Sequence, residues 1–219
     1  MNERDIPQIF AILQENKKQW QDSTLESLEK DPFLVLVGCI LSLRTKDQMT
    51  RQVAERLFRT VRTPQQLLGL SEEELIRLIY PVGFYRRKAK NLRDISRILI
   101  EKYQGQVPSI LEELLELPGV GRKTANLVLT VGFGNPGICV DTHVHRIVNR
   151  WGYVNTKTPE KTEIALRDKL PLKFWIPINS LLVLFGQNIC LPRQPRCNRC
   201  PIENYCDKMR VEFMEIKKK

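Results

Sequence analysis

The chain has 219 residues, 42% of them hydrophobic, which suffices for one large domain or two small ones around a sizeable core. Its longest apolar stretch, Phe33 to Leu43, is short and interrupted by Gly38 and Ser42, and Met1 to Trp20 lacks the unbroken apolar run of a secretory signal. No membrane association is therefore expected, and a soluble intracellular protein is. A formal charge of +10 and a pI near 9.4 point to a polyanionic partner, because Lys and Arg placed on phosphates release condensed counterions, although a solvated basic face fits charge alone equally well.

Helical signals recur along nearly the whole length and no segment sustains the alternation of a strand, so the fold class is all-α. Ile6, Ile9, Phe10 and Leu13 stripe a first helix, and Asp31-Pro32 supplies an N-cap and an N1 proline ahead of the buried run Phe33 to Leu41. Thr45 with Gln48, Thr63 with Gln66, Ser71 with Glu74 and Ser109 with Glu112 have the spacing of capping boxes and mark further helix starts. Gly83 and Phe84 lead into a basic helix with Arg86, Arg87, Lys88, Lys90, Arg93, Arg97 and Lys102 set against Asp94 and Glu101. Its inward stripe is Leu92, Ile95 and Leu99, which predicts that the Lys and Arg side chains face outward.

Leu111 to Leu129 reads as two amphipathic helices joined by Pro118-Gly119-Val120-Gly121. Proline ends the first helix, and glycines that can adopt positive φ and lack Cβ let backbone N–H groups at the start of the second approach a phosphate. A lone Gly-x-Gly between helices is more often an ordinary tight turn. Lys123 changes the balance, since it falls in the first turn of the second helix beside Arg122, where the helix dipole and a like charge disfavour a protonated amine. At pH 7 only roughly one exposed lysine in 2,500 is a free nucleophile, so such surroundings matter. A lysine that simply contacts phosphate is the competing reading.

Eighteen residues on, Asp141 precedes the stripe Val144, Ile147, Val148 and Trp151, which Gly152 stops. By position it is an N-cap; brought near Lys123 it could also take up the amine proton and stabilise positive charge on a sugar. His143 and His145 lack a third ligand and are given packing or hydrogen-bonding roles. Thr158-Pro159 caps a further helix and Ile178 to Phe185 supplies another apolar one. Cys39 and Cys139 sit in apolar contexts as small core residues. The remaining cysteines, Cys190, Cys197, Cys200 and Cys206, have the uneven spacing of metal or cluster ligands, and spacing alone leaves zinc and a [4Fe–4S] cube evenly matched. Arg193, Arg196 and Arg199 would project from the loop so pinned.

Together, Leu117 to Ala125 (LPGVGRKTA), Val140 to Arg146 (VDTHVHR) and the four-cysteine pattern resemble the endonuclease III family of helix-hairpin-helix DNA glycosylases, as do Ile79 to Tyr85 and Phe185 to Cys190. The resemblance implies a six-helix barrel domain over residues 25–134 and a cluster domain joining 1–24 to 135–219. It implies Lys123 as Schiff-base nucleophile, Asp141 as the assisting carboxylate, and a [4Fe–4S] cluster on the four cysteines rather than zinc. The activity implied is excision of damaged bases, oxidised pyrimidines above all, from double-stranded DNA, with strand cleavage at the abasic site by β-elimination. Family members flip the damaged nucleotide out and fill the gap from two loops. The matching residues are Arg44 and Phe84, where relatives often carry glutamine and leucine; Gly119, Val120, Gly121, Arg122, Arg193 and Arg196 complete the expected DNA contacts. A monomer is expected, cytoplasmic and nucleoid-associated if prokaryotic. Adenine and thymine mispair glycosylases of the same superfamily fit less well, because they lack the nucleophilic lysine, and a non-catalytic DNA clamp would need neither Lys123 nor Asp141.

Overall fold

The computed structural model describes residues 3–20 and 30–211. Their α-helices, in chain order, are α1 (Ile6–Asn16), α2 (Pro32–Ser42), α3 (Asp47–Phe58), α4 (Pro64–Gly69), α5 (Glu72–Ile79), α6 (Tyr85–Tyr103), α7 (Leu111–Leu115), α8 (Arg122–Leu127), α9 (Thr142–Arg150), α10 (Pro159–Lys169) and α11 (Pro177–Asn188). No strand occurs among the described residues, in keeping with an all-α chain, and no helix among them is long and apolar enough to cross a membrane. The chain divides into two compact units, one of Leu25–Cys139 and one that joins Met1–Thr24 to Val140–Lys219.

In the first unit α2 is buried on every face from Phe33 to Leu41. A helix apolar all round must be wrapped, and α3, α6, α8 and a π-helical turn continuing α8 (Val128–Gly132) do so. α4 and α5 pack in turn on α6. The start of α2 is held by Asp31, whose Oδ1 accepts from the amides of Phe33 and Leu34 at 2.9 and 3.0 Å. Ser71 and Glu74 form the reciprocal capping box of α5, and Thr63 caps α4. Thr45 and Ser109 do not cap: each sits one residue too early, the N-cap positions of α3 and α7 being Lys46 and Ile110. A second departure concerns α6. Lys88 is only 5% exposed, on the same face as buried Leu92, Ile95 and Leu99, so not all of the helix's basic residues face outward. Its amine satisfies carbonyls at the end of α2 that have no intrahelical partner.

In the second unit α9 and α11 pack together, with α1 on α11 and α10 on α9. Ile6, Ile9, Phe10 and Leu13 are buried as the stripe of α1 requires, and so are Val144, Ile147, Val148 and Trp151 of α9. The Phe10 and Phe174 rings lie 4.3 Å apart, and Trp20 stacks on Phe185 at 5.6 Å, which ties the N-terminal segment to the C-terminal third. Two polar side chains inside this unit find side-chain and backbone partners: His145 Nδ1 meets Thr162 Oγ1 at 2.6 Å, and Asn149 bonds the Thr156 amide and hydroxyl.

Because Asp31 takes two of the orphan amides of the most buried helix, Asp31→Ala should lower unfolding free energy by about 1 kcal/mol, read as a shifted urea midpoint with an unchanged slope. Asp31→Asn should recover most of the loss.

Candidate active site and cysteine centre

Arg44 and Phe84 lie on two neighbouring loops of the first unit. Both have left-handed backbones, φ 52° and 57°, which is uncommon outside glycine and marks residues held in place by their surroundings. Phe84 is 61% exposed at the N-cap of α6, and the Arg44 guanidinium carbon stands 5.5 Å from the centre of its ring. The loops meet at backbone level. A Cβ on Gly83 would sit 2.5 Å from the Arg44 carbonyl oxygen, so only glycine allows this approach. The Gly83 amide donates to Thr45 Oγ1 at 3.1 Å, which is where the hydroxyl absent from the α3 cap is used. Beneath both loops, Lys88 Nζ donates to the Leu41 and Leu43 carbonyls at 2.7 and 2.6 Å and to Thr45 Oγ1 at 3.0 Å. Burial pushes the Lys88 amine down to about 8.

The hairpin between α7 and α8 has one glycine in the conformation anticipated for both. Gly119 has φ +78°, and a Cβ there would stand 2.5 Å from Asn91 Nδ2. Gly121 instead caps α8 with an extended backbone, φ −102° and ψ 176°, and a Cβ on it would meet nothing within 4 Å. The open space in front of Gly121 is therefore not demanded by packing. Val120 is buried, with its amide on the Leu117 carbonyl at 3.1 Å, so it anchors the turn. Arg122 is half-buried and Lys123 exposed, in the first turn of α8. The Lys123 carbonyl accepts from Cys139 Sγ at 3.6 Å. Cys39 and Cys139 are both buried; burial pushes the Cys39 thiol up to about 12, against the pull of the Lys123 charge, so it stays protonated and inert at neutral pH.

Asp141 belongs to the second unit and caps α9. Its Oδ1 accepts from both the His143 and Val144 amides, at 2.8 and 2.9 Å, so capping employs one carboxylate oxygen of the two. His143 Nδ1 pairs with Arg146 at 3.1 Å, and Arg146 also donates to the Cys190 carbonyl at 2.8 Å. Both histidines thus have hydrogen-bonding partners, the role assigned to them from sequence.

Cys190, Cys197, Cys200 and Cys206 line a single hollow with Arg150, Trp151, Phe185 and Ile189. Short 3-10 turns, Cys197–Arg199 and Glu203–Tyr205, aim the later three. Burial, reinforced by the neighbouring thiols, raises Cys197, Cys200 and Cys206, with Cys200 pushed up to about 12. Three such thiols can ionise together only around a positively charged centre, which is the chemistry of a metal or cluster donor set. Buried Arg150 fixes the first of the four cysteines: it donates to Cys190 Sγ at 3.4 Å and to the Leu191 and Pro192 carbonyls at 2.7 and 2.8 Å. Arg193, Arg196 and Arg199 are exposed on the loop so formed, Arg196 bonding the Asn188 carbonyl at 3.2 Å.

Sequence reasoning missed Lys88, Asn91 and Arg150. Lys88 was within reach of it, because positions 88, 92, 95 and 99 continue one helical stripe. Nothing local distinguished Asn91, which abuts Gly119, or Arg150, whose partners lie about 40 residues along the chain.

A glycine-turned hairpin presenting an exposed lysine, with a carboxylate at a helix cap and a four-cysteine hollow, is the equipment of a helix-hairpin-helix base excision enzyme. Residues 37–172 match the model of the HhH-GPD superfamily of base excision DNA repair proteins. The chain is 54% identical to endonuclease III of Thermotoga maritima over 179 residues, covering 82% of this chain and 84% of that one. It is 40% identical to endonuclease III of Rickettsia conorii over 207 residues, covering 94% and 97%. A solved structure of a trapped endonuclease III–DNA covalent intermediate superposes with a TM-score of 0.82 at 36% identity, covering 95% of this chain and 97% of that one. The chain belongs to the endonuclease III family. It is a DNA glycosylase and AP lyase of base excision repair.

The Asp141 cap separates two contributions of one side chain. Asp141→Asn keeps a carbonyl oxygen for the His143 and Val144 amides and should leave thermal stability close to wild type, whereas Asp141→Ala should cost about 1 kcal/mol. Equal melting temperatures for the two variants would mean that the cap contributes nothing.

Proposed function

We propose that this enzyme excises oxidised pyrimidines from double-stranded DNA through a Schiff base on Lys123, with Asp141 as its proton acceptor. The observation that carries the reading is the placement of Lys123, exposed in the first turn of α8 directly after the glycine hairpin. Asp141 takes a proton from the Lys123 ammonium, and the neutral amine attacks C1′ of the damaged nucleotide. The C1′–N bond to the base breaks, and the base leaves with the bonding electrons and a proton. Opening of the sugar gives an imine between C1′ and Nζ, which acidifies the C2′ hydrogen; loss of that proton expels the 3′ phosphate by β-elimination. Strand cleavage is thus a consequence of the covalent step.

The hairpin amides of Gly119 and Gly121, with Arg122, hold a phosphate in the space before Gly121 that packing leaves open, while Val120, its own amide on the Leu117 carbonyl, keeps the turn in shape for that contact. Arg44 and Phe84 fill the gap left by the extruded nucleotide, and Arg193 and Arg196 add phosphate contacts. The enzyme acts as a monomer on one lesion or abasic site at a time.

Cys190, Cys197, Cys200 and Cys206 hold a [4Fe–4S] cluster, whose positive irons keep the four thiolates ionised and so fold the basic loop. The hollow that all four cysteines border supports a centre held by four thiolates, and membership of the endonuclease III family favours the cube over zinc.

Four experiments test these assignments. On duplex DNA carrying an abasic site, Lys123→Gln should lose borohydride trapping and strand cleavage but keep binding; an adduct formed at the wild-type rate would place the nucleophile elsewhere. Asp141→Asn, stable by its retained cap, should excise a damaged base about 10² to 10⁴-fold more slowly, with a smaller effect on a pre-formed abasic site. Purified protein should be brown, with about four iron and four sulfide per chain, and Cys197→Ser should lower stability and DNA affinity together. A colourless, active protein containing zinc would overturn the cluster.

A further inference from the structure

Of the basic residues on α6, Lys88 is the one that cannot meet DNA, since it is 5% exposed and its ammonium is enclosed by protein acceptors. Its three donors, the full complement of an ammonium, go to Leu41 O, Leu43 O and Thr45 Oγ1, none on its own helix. Thr45 Oγ1 in turn accepts from the Gly83 amide, and Gly83 is pressed against the Arg44 carbonyl too closely for any Cβ. Segments 41–45 and 83–88 are therefore one hydrogen-bonded body. Arg44 and Phe84 stand at its outer edge, in left-handed conformations that an untethered chain would leave, with guanidinium and ring facing each other.

We propose that Lys88 is a positioning residue for base extrusion, locking the loops of Arg44 and Phe84 into a single preformed wedge from beneath. The proposal rests on the reading of those two side chains as gap-fillers. Its physical content is preorganisation: loops already joined lose little conformational freedom when they enter the duplex, whereas separated loops must be ordered at that moment. A lysine suits this position because its compact head distributes three bonds among acceptors from different segments.

The test compares full-length variants on one oxidised pyrimidine in duplex and in single-stranded DNA, and on a duplex with a pre-formed abasic site, with melting temperature recorded in parallel. Phe84→Ala is the reference for the wedge. Lys88→Met preserves bulk and removes the donors; it should slow excision from duplex by about tenfold while leaving the single strand and the abasic site near wild type. Combined with Phe84→Ala it should add little, since a loose wedge and a missing one fail at the same step. Should Lys88→Met not fold, Thr45→Val and Thr45→Ser decide: the valine variant should show the duplex-selective loss and the serine variant, which keeps the hydroxyl, should not. Three results overturn the proposal. Equal losses on all three substrates would make Lys88 a structural residue only. A duplex-selective Phe84→Ala beside an unaffected Lys88→Met would leave the wedge intact and remove Lys88 from it. If Phe84→Ala itself shows no duplex selectivity, the wedge reading fails and the role of Lys88 falls with it.

Discussion

A helix with no polar face governs the first unit. α2 is buried from Phe33 to Leu41, and each such side chain contributes about 1.5–3 kcal/mol only if its neighbours exclude water. That demand recruits α3, α6 and α8 around it. It also creates a difficulty at its end, where carbonyls without intrahelical partners emerge into a crowded region. Lys88 answers the difficulty with an amine from α6, and the same bonds draw the Arg44 and Phe84 loops together. The joining of the Arg44 and Phe84 loops is thus an outgrowth of how the core helix is terminated.

The positive charge of the chain accordingly divides by burial rather than by position in sequence. Lys88 and Arg150 are inward-facing and saturate carbonyls or a thiol, so they organise loops. Lys123, Arg44, Arg193 and Arg196 are exposed, and remain available to a polyanion. A count of Lys and Arg overstates the charge DNA meets.

The cysteine centre repeats the same logic in the second unit. Cys197, Cys200 and Cys206 are raised by burial and by neighbouring thiols, so the loop that carries them is poorly satisfied as free thiols and well satisfied around a cationic body. Arg150 and Arg146 hold the carbonyls at the start of that loop, tying it to α9, the helix that Asp141 caps. The carboxylate and the cysteine loop are therefore braced by one short helix.

Signals confined to a few neighbouring residues were legible without a structure. The all-α class, the caps at Asp31, Ser71, Asp141 and Thr158, the hairpin with Lys123 and the four cysteines all depend on spacing along the chain, where periodicity and end effects operate. Cap placement at Thr45 and Ser109 missed by one residue, and Gly121 did not take the backbone expected of it. What only tertiary structure decided is how distant segments use one another's unpaired groups. Thr45 had a helix start within reach and yet bonds the Gly83 amide and the Lys88 amine, because burying those two donors without an acceptor costs more than a missing surface cap. A choice of that kind compares partners some 40 residues apart, as in the 38-residue separation of Thr45 and Gly83, and no local pattern contains the comparison.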